Sequence, residues 1–78
     1  MARYFFHLCD GHDTLIDPEG REIGDTSLIA GIALKEARAI IVDEVTRGSI
    51  KLGQHIEVLD GDGTMVHRLD FRDAVILE

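Results

Sequence analysis

Cysteine is almost missing from this chain. Among its 78 residues only Cys9 carries a thiol. Without a second one there is no intramolecular disulfide, and a lone thiol fits a reducing compartment. Long apolar runs are missing too. No stretch approaches the 18 or so residues that a membrane span requires. The opening Met1 to His7 turns polar too early for a signal peptide and lacks a small-residue cleavage site. Positive charge is scarce: eight Lys and Arg stand against fifteen Asp and Glu, a net charge of −7. The basic residues, from Arg3 to Arg72, are scattered among acidic neighbours. Phosphate binding needs a concentrated positive field. The composition therefore argues against direct nucleic-acid binding and for a soluble, cytoplasmic protein. Repeats, linkers and low-complexity stretches are also missing.

What is present reads as a single small globular domain over residues 1–78. A hydrophobic fraction of 45% suits a packed globule and not a disordered tail. The core is thin, because a chain this short buries only about 60–65% of its unfolded surface. Domains of this size commonly need a staple, and with disulfides excluded the options are a metal or a second copy of the chain.

Apolar spacing predicts the elements. Arg3 to Cys9 alternates as a strand, with Tyr4, Phe6 and Leu8 on one face and Phe5, His7 and Cys9 on the other. Both faces are fairly apolar, which suits a central strand. Residues 10–13 turn, Thr14 to Asp17 returns, Pro18-Glu19-Gly20 breaks the strand, and Arg21 to Ile23 resumes the pairing. A helix is expected from Asp25, as N-cap, to Arg47, with Gly48 as its stop. Its core stripe is Ile29, Ala30, Ala33, Leu34, Ala37, Ile40, Ile41 and Val45. Alanines on that stripe predict a close approach to a sheet. Gln54 to Leu59 and Thr64 to Phe71 form a hairpin around Asp60-Gly61-Asp62-Gly63, with Val58 expected opposite Met65 and Ile56 opposite His67. Residues 73–77 tuck back as a short strand or turn. The fold class is α+β in the order β-β-α-β-β, one amphipathic helix on one face of a mostly antiparallel sheet.

The opening Met1-Ala2-Arg3-Tyr4-Phe5-Phe6-His7-Leu8, then Asp10-Gly11 and Glu19-Gly20, resembles a family of short bacterial proteins of unknown function, frequent in alphaproteobacteria. Ala37-Arg38, Ile56-Glu57-Val58 before the Asp-Gly turn, and Phe71-Arg72-Asp73-Ala74-Val75 extend the resemblance over nearly the whole chain. It implies a bacterial cytosolic domain and brings no catalytic residue with it. Cys9 stands where that pattern leads one to expect a polar or basic residue. A looser similarity, through Gly24-Asp25-Thr26 and the Ala-rich helix after it, is to the partial ribonuclease-H-like domain of some antitoxins.

The densest set of chemically competent side chains is His7, Cys9, Asp10, His12 and Asp13. His7, Cys9 and His12 are the candidate metal ligands. A structural zinc site normally shows a second paired motif, and none follows, so no metal and no cofactor are expected; His55 and His67 join only if the sheet brings them near. Cys9 with His7 or His12 is also the candidate nucleophile pair of a small thiol- or metal-dependent enzyme. Against it stand the short chain and the lack of an oxyanion motif. Asp60 to Thr64 resembles a calcium loop but has Met65 where the glycine is needed and Phe71 where the bidentate glutamate is needed. Gly20, Gly24 and Gly31 lack the spacing of a phosphate loop.

Opposite the helix core stripe lie Leu28, Ile32, Ala39 and Val42, which together with Lys35 and Thr46 alternate at four- and three-residue steps, as in a helix–helix seam. A rival patch is Phe5, His7, Cys9, Leu59 and Val66 on the outer sheet face. The favoured reading is a non-enzymatic, self-associating interaction module, a homodimer that touches neither nucleic acid nor membrane. The alternatives are the enzyme just described and an antitoxin-like acidic partner of a basic protein.

Overall fold

The computed structural model describes residues 2–76. The chain runs β1 (Ala2–Asp10), β2 (Asp13–Leu15), β3 (Arg21–Ile23), α1 (Ile29–Thr46), β4 (His55–Leu59) and β5 (Met65–Asp70). Short 3₁₀ turns, Thr26–Leu28 and Phe71–Asp73, precede α1 and follow β5. All pairings are antiparallel, in the order β2-β1-β4-β5, and β3 also pairs with β1. One helix lies on one face of an open sheet, the α+β class expected. The strand after Pro18 is a separate element, so the order is β-β-β-α-β-β.

The break between β2 and β3 is built by Asp17. Its Oδ2 accepts the Phe6 N–H (3.1 Å), and its Oδ1 accepts those of Glu19 (3.3 Å) and Gly20 (3.1 Å). The Asp17 N–H in turn donates to His7 Nδ1 (3.0 Å). A side chain thus replaces the ladder where β1 passes from one partner to the next.

Helix entry and exit follow the sequence signals. Asp25 Oδ1 accepts the Ser27 N–H (2.9 Å) and hydroxyl (2.7 Å). At the other end Gly48 takes a φ of +96°, and Ser49 N–H returns to Glu44 O (3.1 Å), the bond pattern of a glycine-terminated helix. The buried line is Ile29, Ala33, Ala37, Ile41 and Glu44. Ala33 and Ala37 are fully buried, so the helix backbone sits close to the sheet, as their small size predicts. Two positions of the expected stripe are corrected. Val45 is 55% exposed, and Glu44 is buried in its place because its carboxylate finds donors beneath the helix end. Ala30 is exposed, and Leu34 is half-buried against the core.

The sheet contributes Tyr4, Ile56 and Val58 to the core, closed at its end by Phe71 and Ala74. After β5 the chain makes the 3₁₀ turn Phe71–Asp73 and forms no further strand among the described residues, and Leu77 lies outside them. The β4–β5 register differs from the expectation. Val58 faces His67, Ile56 faces Leu69 and Leu59 faces Met65, with an irregularity beside Leu59. The cause is a longer turn. Asp60 accepts the Asp62 and Thr64 N–H groups (2.9 Å each) on its carboxylate, and its own N–H donates to Thr64 O. Thr64 therefore belongs to the turn, and Val66 is the extra residue of a bulge. No helix among the described residues is long and apolar enough to cross a membrane.

Candidate functional site

The face of the sheet turned away from α1 brings together the thiol of the chain, two of its histidines and several charged side chains. Register alone places them. Cys9 lies opposite His55 and His7 opposite Glu57 across β1–β4, while β5 adds Arg68 opposite Glu57 and Asp70 opposite His55. Because strands alternate, these residues share the outer face while Ile56 and Val58 point to the core. Phe5 and Leu59 form the apolar end of that face.

Within it, donor atoms of Cys9, His55 and Glu57 all lie within 4.8 Å of one another. His55 Nε2 and Glu57 Oε2 are 2.9 Å apart. Thr14, paired with Cys9 on β2, donates its hydroxyl to the Cys9 sulfur at 3.8 Å. Cys9 is 6% exposed, yet its surroundings on this face are polar, unlike those of a core cysteine. Arg68 donates to Asp70 (3.0 Å), and Lys51 lies 3.8 Å from Asp10.

His7 and His12, the partners the sequence put beside Cys9, are placed differently. His7 Nδ1 accepts the Asp17 N–H, which leaves the proton of the neutral ring on Nε2. His12 sits exposed in the β1–β2 turn. The ligands that close on Cys9 come from β4, far along the chain. His55 was visible as a candidate only on condition that the sheet brought it near. Glu57 gave no signal beyond its even spacing from His55.

One carboxylate on the opposite flank is held away from its ordinary value. Burial acts to raise the Asp17 carboxyl. The N–H donors of Gly20, Phe6 and Glu19, with the nearby Arg21 guanidinium, outweigh it and hold the group below the ordinary carboxylate value. Asp25 is likewise lowered, by the Ser27 hydroxyl and N–H.

Over residues 3–72 the sequence matches the family model described as Domain of unknown function (DUF6894). The chain belongs to that family. The DUF6894 stretch contains Cys9, His55 and Glu57 as well as the exposed helix face. No curated protein and no solved structure matches this DUF6894 chain.

Three concavities on the helix side show what else the DUF6894 surface offers. One of about 280 Å³ is lined by Tyr4, Ile29, Val66 and His67, which removes Val66 from the outer sheet patch. One of about 300 Å³ lies between Phe6, Leu15, Ile16, Pro18 and Ile40. A third, of about 420 Å³, borders Arg21, Ile32 and Ala39. Cys9 lines none of the three.

Proposed function

We propose that this domain is a non-enzymatic interaction module that self-associates as a two-fold homodimer through the solvent face of α1. The observation that carries the reading is the composition of that face. Leu28 is 54% exposed and Val42 65%, with the exposed Ala39 and Gly31 on the same arc. Lys35 is the only charged residue on the arc, in a chain of net charge −7. Two copies of an acidic protein repel each other least where the acids are absent, and small residues let helices approach closely. A two-fold axis brings this one patch against itself. Ile32, also on the expected seam, is half-buried against the core and borders the contact. The rival outer sheet face is interrupted by His7, His55, Glu57, Arg68 and Asp70, whose desolvation opposes burial.

Sedimentation velocity over a concentration series tests the reading. The unmodified chain is expected to sediment as a dimer. Val42→Glu is expected to give a monomer with unchanged circular dichroism, since Val42 has no role in the core. Phe5→Glu, on the rival face, is expected to leave the dimer intact. A monomer mass at every concentration, or a dimer that survives Val42→Glu, overturns the proposal.

A further inference from the structure

We propose that Cys9, His55 and Glu57 form a binding site for a divalent cation of the zinc class on the sheet face opposite α1. The inference is independent of the dimer reading. The three residues offer a thiolate, an imidazole and a carboxylate, the three donor types that zinc takes from proteins. They come from two adjacent strands whose pairing fixes their backbones. Cys9 and His55 are directly opposite, and Glu57 is two residues from His55 on the same face. Their donor atoms lie within 4.8 Å of one another, and the imidazole and carboxylate are already at 2.9 Å. Zinc–ligand bonds of roughly 2.0–2.3 Å place tetrahedral ligand atoms about 3 to 4 Å apart. The remaining closure is about 1 Å, within reach of side-chain torsions at His55 and Glu57.

The polar setting separates this group from a buried apolar cysteine. Thr14 already offers its hydroxyl to the sulfur. The other acids of the neighbourhood, Asp10 and Asp70, are paired with Lys51 and Arg68, which leaves Glu57 as the carboxylate aimed at the thiol and imidazole. His55 and Glu57 are mostly buried, with side-chain exposures of 16% and 33%, so cation and ligands interact in a medium less screening than bulk water. On binding, the Cys9 thiol loses its proton to solvent and His55 binds as the neutral ring. Three protein ligands leave one position of a tetrahedral shell to water. The thiolate and imidazole select zinc over the hard cations magnesium and calcium. The bound ion ties β1 to β4, the central pair of the sheet, and so supplies the staple that a lone cysteine denies to so short a chain.

The test uses the untagged full chain and cobalt(II) as the spectroscopic probe, with zinc as competitor. One cobalt per chain is expected, with a thiolate-to-cobalt charge-transfer band that zinc abolishes. Cys9→Ser is expected to remove the band. Glu57→Gln and His55→Ala are expected to weaken binding by at least about 10-fold, since the loss of a group that merely supports a ligand already costs that much. His12→Ala and Val42→Glu are expected to bind as the unmodified chain does, the latter whatever its oligomeric state. If Cys9→Ser does not fold, the Glu57 and His55 variants decide the matter. A missing band, a band that persists without the Cys9 sulfur, or an equal loss in His12→Ala overturns the proposal.

Discussion

Gln54 donates its side-chain amide to the carboxylate of Glu44 at 2.8 Å, and both residues are buried. The same amide donates to Lys51 O (3.0 Å), and the Lys51 N–H donates to Glu44 at 3.3 Å. The end of α1 is thereby fastened to the chain that leads into β4. Gln54→Leu removes the main donor to a buried carboxylate, and its expected cost is about 1–3 kcal/mol. Adding Glu44→Leu is expected to restore part of that loss, because an apolar pair leaves less unsatisfied than half a polar one. Urea unfolding of the single and double variants measures both. A single variant as stable as the unmodified chain shows that water already serves Glu44.

Asp17 gives the stability a defined pH dependence. Its folded pKa lies below its ordinary value, so the ionised form is favoured by folding. The stabilisation is therefore complete above the unfolded carboxylate value of about 4 and is lost as pH falls through the lower folded one. Asp17→Asn is expected to be destabilised at neutral pH by about 1 kcal/mol or more, since the carboxylate accepts three N–H groups. The gap to the unmodified chain should narrow in acid. Thermal melts across pH read the difference, and a gap that is constant down to strongly acidic pH contradicts the role given to the charge.

Gly20 and Gly11 both have positive φ, +67° and +63°, but their surroundings differ. A Cβ on Gly20 would lie 2.8 Å from Tyr4 O and 2.9 Å from the Phe5 ring, whereas one on Gly11 meets nothing within 4 Å. Gly11→Ala is expected to cost only the left-handed backbone penalty of about 1–2 kcal/mol. Gly20→Ala is expected to cost clearly more, because the obstacle includes backbone of β1 that cannot step aside. Equal unfolding midpoints for the two variants would place the Gly20 loop away from β1.

The elements with strong local signals were legible in the sequence: β1 from its alternation, the helix from Asp25 and Gly48, the Asp60 turn from its glycines. The alanines Ala33 and Ala37 also gave the close helix–sheet contact. What was not legible depends on pairs. The β4–β5 register turned on Thr64 being drawn into the turn by Asp60. Glu44 was hidden because a carboxylate reads as solvent-facing until Gln54 and the Lys51 N–H are placed beside it. The neighbours of Cys9 across the sheet are such a case. Sequence proximity suggested His7 and His12, while register delivered His55 and Glu57.

The position of β1 has a consequence for how the protein comes into being. Residues Phe5 to Cys9 are translated before the helix, yet their partners Leu59 to His55 are translated after it. Local contacts can form the β1–β2 hairpin and start α1 on a nascent chain, but the middle of the sheet waits for a loop closure that spans the whole helix. Until then the helix stripe of Ile29, Ala33, Ala37 and Ile41 lacks Ile56, Val58 and Phe71 to lie against. The β1–β4 pairing at the centre of the sheet therefore requires the chain beyond the helix. A chain cut short before β4 keeps Tyr4 and Ile23 against that stripe but leaves the rest of it uncovered.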